Sequence, residues 1–199
     1  LRLNPNFTDA HFNLGNALKK QGDLSAAIDS FNTVLQLKPD HPYAHFNLGN
    51  ALKAQGDLTS AITSFNRALQ FKSDFQEARS NLGAALYEQD NLTAAIAAYN
   101  TAIELKPNLP KTHNNLGLAL QERGDINAAI ASFNKAIELN PNFTDAHFNL
   151  GNALKEQGDL SAAIASFNTV LQLKPDYAEA HFNLGNALKE QDDLNAALD

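Results

Sequence analysis

The triplet Asn-Leu-Gly recurs along this chain, ending at Gly15, Gly49, Gly83, Gly117, Gly151 and Gly185, 34 residues apart each time. A constant period of that size constrains the fold more than any local motif. Each period is one supersecondary unit that buries its apolar side only by stacking on its neighbours. Length alone allows one or two globular domains, but the period predicts a single array over residues 1–199. The full repeats are expected at 7–40, 41–74, 75–108, 109–142 and 143–176. Residues 1–6 read as the tail of a preceding repeat, because Leu1-Arg2-Leu3-Asn4-Pro5 matches Ile137-Glu138-Leu139-Asn140-Pro141. Residues 177–199 read as a truncated repeat whose second helix starts near Asn195. The chain thus reads as a piece of a longer array, cut inside a repeat at each end.

Within one repeat the pattern is that of two helices. Ala10, Leu14, Ala17 and Leu18 recur at three- and four-residue spacing, which predicts a helix with one buried stripe. Thr8 is placed to cap it. Gly22 supplies a left-handed stop and Asp23 a cap for the next helix. Leu24, Ala27, Ile28, Phe31 and Leu35 then mark the inward stripe of the second helix, and Pro39 closes the unit. Pro42 and Pro110 stand where following helices begin. The turn is spelled Asp90-Asn91 in repeat three and Asp192-Asp193 in the last unit. Aspartate accepts the left-handed conformation better than most residues, so both turns are expected to survive.

A glycine inside a helix costs about 1 kcal/mol relative to alanine, so Gly15 and its copies need a packing reason. The expectation is a close crossing in which the glycine faces the alanine twelve residues on: Ala27, Ala61, Ala95, Ala129, Ala163 and Ala197. Phe31, Phe65, Tyr99, Phe133 and Phe167 would then fill the space alongside.

These residues together resemble the tetratricopeptide repeat (TPR) family over the whole chain. The likeness rests on Leu14-Gly15 and its copies, Ala27, Phe31, Ala68 and Pro39. It departs where the family's common tryptophan is His11, His45, Arg79, His113, His147 and His181, and where its usual tyrosine is Leu18 and its copies. The resemblance implies an all-α fold, an α-solenoid of helix-turn-helix repeats forming a right-handed superhelix, with a concave groove lined by the first helices. It also implies a role in holding peptides or partner proteins.

The face opposite the buried stripe follows from the turn of about 100° per residue. It carries Asn13, Asn47, Asn81, Asn115, Asn149 and Asn183, always two residues before the glycine. This row is similar to the asparagine ladder of O-GlcNAc transferase repeats, and an amide that both donates and accepts can pair with peptide backbone whatever its sequence. Duplication alone would also copy it. Asn16, Asn50, Asn152 and Asn186 form a second row, interrupted by Ala84 and Leu118, and Lys111 joins the candidate groove near Tyr87 and Leu118. Phe12, Phe46, Phe148 and Phe182 share this side and are expected to pack against the adjacent first helix. Chaperone-binding members hold a C-terminal carboxylate with a basic clamp. Here Phe12 or Phe46 stands where that clamp needs Lys, and Asn81 or Asn115 where it needs Arg. Lys111 with Asn50 and Asn81 matches only in part, so no such clamp is expected.

Several function classes find no support. Net charge is −7 with Lys scattered among Asp and Glu, which argues against nucleic acid. No apolar run reaches the ~20 residues that span a bilayer, so no membrane partner is expected. Cysteine is absent. Five of the six histidines recur in the array, and helices packed ~8–10 Å apart keep such copies from sharing an ion with ~2 Å bonds. They are expected to pack, with no metal and no cofactor. No catalytic constellation stands out. The expectation is a non-enzymatic scaffold with a protein or peptide partner. The alternative is the substrate-holding arm of a larger enzyme such as a glycosyltransferase. The apolar faces at the two ends also invite end-to-end self-association.

Overall fold

The computed structural model describes residues 5–198, with side chains described for residues 7–192. Among the described residues there are eleven helices and no strand, and successive helix pairs pack in an α-solenoid fold. The chain divides into two compact units, Leu1–Leu105 and Lys106–Asp199.

The first unit holds α1 (Pro5–Gln21), α2 (Leu24–Leu37), α3 (Pro42–Gln55), α4 (Leu58–Phe71), α5 (Gln76–Glu88) and α6 (Leu92–Leu105). Each helix packs on the next, and α1, α3 and α5 also touch in order, so the first helices form one face. The second unit holds α7 (Pro110–Glu122), α8 (Ile126–Leu139), α9 (Thr144–Gln157), α10 (Leu160–Leu173) and α11 (Ala178–Leu198). There α7, α9 and α11 make the corresponding face.

Local chemistry explains the boundaries. Gly22, Gly56, Gly124 and Gly158 all take left-handed backbone with φ of 87 to 92°, where a Cβ would be strained. Asp23, Asp57 and Asp159 then accept from the backbone N–H three residues on, at 3.0–3.1 Å, and so cap α2, α4 and α10. Asp125 is instead drawn to Arg123 and makes no such cap. In repeat three Asp90 itself takes φ 63° and Asn91 caps α6, so this turn survives without glycine. Pro42 and Pro110 open α3 and α7.

Two boundaries differ from expectation. Helix α1 begins at Pro5, so Thr8 lies inside its first turn and is not its cap. Proline is well placed as a first helical residue, since its missing N–H is one the helix leaves unpaired anyway. Asp192-Asp193 makes no turn, and α11 runs unbroken to Leu198. There is no glycine to stop it. The tail at residues 1–4 and Ala197 as a packing partner fall outside the described residues or side chains.

The core is built from small residues and one ring per pair. Ala27, Ala61, Ala95, Ala129 and Ala163 are fully buried, as are Phe31, Phe65, Phe133 and Phe167. In the first five Asn-Leu-Gly triplets the nearest neighbour of the glycine is the ring of the paired helix. A Cβ placed on Gly15, Gly49, Gly83, Gly117 or Gly151 meets the ring of Phe31, Phe65, Tyr99, Phe133 or Phe167 at 2.5–2.7 Å. The glycine is therefore a seat for the aromatic ring of the paired helix.

The stripe of α1 departs as well. Ala44, Leu48 and Ala51 of α3 are buried, but their counterparts Ala10, Leu14 and Ala17 are exposed, Leu14 by 48%. The reason is that no described helix lies before α1 to cover that side. Only Leu18 of the four expected residues is partly sheltered, against the core of the first pair.

Candidate functional site

The polar face of the first helices is held in place by the packing behind it. Leu48, Leu82 and Leu150 point into the core and are buried. The residue before each of them, Asn47, Asn81 and Asn149, is thereby set at the seam with the preceding first helix, and each is half-buried.

At that seam the two asparagine rows meet. Asn47 Nδ2 donates to Asn16 Oδ1 at 3.0 Å, Asn81 to Asn50 at 2.7 Å and Asn183 to Asn152 at 2.8 Å, each pair 31 residues apart. Leucine occupies position 118, so Asn149 reaches Asn114 instead, at 3.0 Å. Asn115 is half-buried on α7. Asn13 is exposed at the start of the face, Asn186 is half-buried on α11, and Lys111 is exposed in the first turn of α7. The asparagines thus bond to one another in pairs. Sequence spacing shows which residues share a face, but not which side chains meet across neighbouring helices.

The pairing fixes the orientation of each amide. An asparagine has two N–H donors and two acceptor sites on its oxygen, so a bonded pair keeps several of these for a ligand. Helices packed ~8–10 Å apart space the pairs at about three residues of extended chain.

A second interhelical row runs along the C-terminal edge of the same faces, linking residues 35 apart. Lys53 pairs with Glu88 in the first unit. Gln121 donates to Glu156 at 2.8 Å, and Lys155 pairs with Glu190 at 2.8 Å, in the second. Lys19 instead donates to Asn47 Oδ1 at 3.2 Å. Burial, with Lys20 alongside, lowers its pKa from the ordinary lysine value. The sequence signal for this edge row is the recurrence of Lys and Glu one repeat plus one residue apart.

The aromatics on this side are packing groups. Phe12 stands edge-on to Phe31 and stacks on His41, Phe46 meets Phe65 and Phe75, and Phe148 meets Phe167 and Tyr177. Each ring therefore bridges its own second helix and the residue that opens the next repeat. Phe182 has no such cover and is 69% exposed.

The recurring histidines are used as ties. Nε2 of His45, His113, His147 and His181 lies 2.8–2.9 Å from the carbonyl oxygen of Pro39, Pro107, Pro141 and Pro175. A carbonyl only accepts, so Nε2 carries the proton. Where repeat two ends in Ser73, Arg79 replaces histidine and its guanidinium donates to the Ser73 carbonyl at 3.3 Å. His41 plays a different part, its Nδ1 accepting from Ala44 N at 3.1 Å to cap α3. Among the described residues no three His, Asp or Glu gather in a metal-binding geometry, and no helix is long and apolar enough to cross a membrane.

Comparison with known proteins follows the same outline. The family described as TPR repeat matches five overlapping windows: residues 15–56, 49–90, 85–124, 120–158 and 151–192. No curated protein matches. Among solved structures, MamA is 27% identical with a TM-score of 0.76, over 83% of this chain and 96% of that one. YrrB, described as a TPR protein with an unusual peptide-binding site, is 22% identical with a TM-score of 0.73, over 86% and 89% of the two chains. The APC/C hetero-tetramer Cut9-Hcn1 contains a chain 20% identical with a TM-score of 0.78, over 93% of this chain and 37% of that one.

Proposed function

This chain belongs to the tetratricopeptide repeat family, and on that footing we propose that it is a protein-interaction scaffold that holds an extended peptide segment along its first helices. It acts by binding and carries out no chemistry of its own. The observation that carries this reading is the set of oriented amide pairs, Asn47–Asn16 and Asn81–Asn50 in one unit and Asn183–Asn152 in the other. Each pair keeps unused donors and acceptors at a spacing that suits peptide backbone, and that arrangement holds a strand with little regard to its side chains. Two structural neighbours support the same kind of role: YrrB is described as having a peptide-binding site, and the other is a chain of the Cut9-Hcn1 hetero-tetramer.

The test is affinity capture with the full chain as bait, beside a variant carrying Asn81→Ala, Asn115→Ala and Asn149→Ala, both checked for native helical content. Partners captured by the parent and lost from the variant support the reading. Capture of the same partners with equal affinity by the variant would rule the central amides out as contacts.

A further inference from the structure

One rung of the edge row is missing. Lys53 pairs with Glu88, Gln121 with Glu156 and Lys155 with Glu190, each across 35 residues. The same step from Lys19 lands on Ala54, an exposed methyl with no charge to offer. Lys19 turns to the neutral amide oxygen of Asn47 instead. Its neighbour Lys20 adds a second positive charge where the later repeats have Ala54, Glu88, Glu122, Glu156 and Glu190. In a chain of net charge −7 this corner of α1 and α3 is a local surplus of positive charge.

An ammonium partly withdrawn from water, with only a neutral acceptor, gains most from a carboxylate, since a charge-assisted hydrogen bond is about twice as strong as a neutral one. The surroundings are already arranged for a second contact. Asn47 spends one N–H on Asn16 and has a second to offer a ligand. We propose that an Asp or Glu side chain of the bound peptide occupies the place of the absent carboxylate, held by Lys19 with Asn47 beside it. The proposal rests on the peptide-scaffold reading and adds to it a ligand chemistry and a fixed register: an acidic residue against α1 and α3, backbone against the amide pairs beyond. It differs from the basic clamp of chaperone-binding relatives, whose positions are occupied here by Phe12 and Asn81.

Two measurements test it. The first needs no ligand. Ala54→Glu should raise the thermal midpoint in the parent chain and lose that gain when combined with Lys19→Gln; equal effects in both backgrounds would overturn the missing-rung geometry. The second is selection of a random twelve-residue peptide library on the full chain, on Ala54→Glu and on Lys19→Gln. Peptides selected by the parent should carry Asp or Glu at one fixed position, and replacing that residue by Asn or Gln should weaken binding about five- to tenfold, with little change on either variant. Peptides that bind the parent with no acidic preference would refute this proposal while leaving the scaffold reading intact. Failure of all three chains to select any peptide would refute both.

Discussion

Gly117 and Phe133 are in contact so close that a methyl group on the glycine would sit 2.5 Å from the ring edge. Phe133 is fully buried and has no free direction in which to withdraw. Alanine in a helix is worth about 1 kcal/mol over glycine, but overpacking of this kind costs about 1–3 kcal/mol. Gly117→Ala is therefore expected to lower stability, and Gly117→Ala with Phe133→Leu to recover part of the loss. Chemical denaturation of the single and double variants checks both. A single variant more stable than the parent would contradict the contact.

The turn at Asp90 predicts the opposite sign. It holds φ at 63°, where a residue with a Cβ is strained by about 1 kcal/mol, and the same turn is glycine in four other repeats. Asp90→Gly should stabilise the chain by up to that amount, read as a rise in thermal midpoint. The same substitution at an exposed helical site such as Asp145 should destabilise it.

Breaking an amide pair should cost more than removing an amide that has none. Asn50→Ala leaves the half-buried Asn81 without its partner at 2.7 Å, a loss of about 1 kcal/mol. In a cycle with Asn81→Ala the two substitutions should couple, the double variant losing less than the sum. Asn13→Ala, at an exposed site of the same unit, should cost less than Asn50→Ala. Additive effects at Asn50 and Asn81 would mean the bond contributes nothing in solution.

Acid should weaken the start of α3. Burial lowers the pKa of both His41 and His45 from the ordinary 6.5, with Lys38 adding to the effect at His41. The unfolded chain then binds protons at a pH where the folded chain does not. The stability contribution is full above about pH 6.5 and is lost as the pH falls through that value toward the lower folded pKa. His41 also loses its cap acceptor on protonation. Denaturation midpoints at pH 7.5 and 5.5 should fall less in a variant with His41→Asn and His45→Gln, which keep a cap acceptor and an N–H donor. An identical fall in parent and variant would exclude the two histidines as the cause.

Much of this structure was legible in the sequence because the decisive signals are local. Gly22 and Asp23 act within one turn of backbone, Pro42 fixes its own φ, and the apolar period of α2 or α10 is a property of one helix. The relationships that sequence leaves open lie between helices. Period and face place Gly15, Ala27 and Phe31 near one crossing, but the relative slide of the paired helices decides that the glycine meets the ring. The sequence places the asparagines on one face of each helix but does not show which of them meet. Across two helices, Asn47 and Asn16 are within bonding distance. The α1 stripe and the Asp192-Asp193 turn depended on neighbours that the described residues do not supply. A periodic pattern says what a residue does when its neighbours are present.

Within each unit a helix touches only those one or two places away in order; in the first unit, for example, α1 meets α2 and α3 but not α5. No central keystone holds such a stack. Within the first unit, amide exchange should be slower in the α3–α4 pair, which is flanked on both sides, than in the α1–α2 pair. A peptide lying across several rungs would act as a splint, and its grip would register first as slower exchange in the outermost pair it touches.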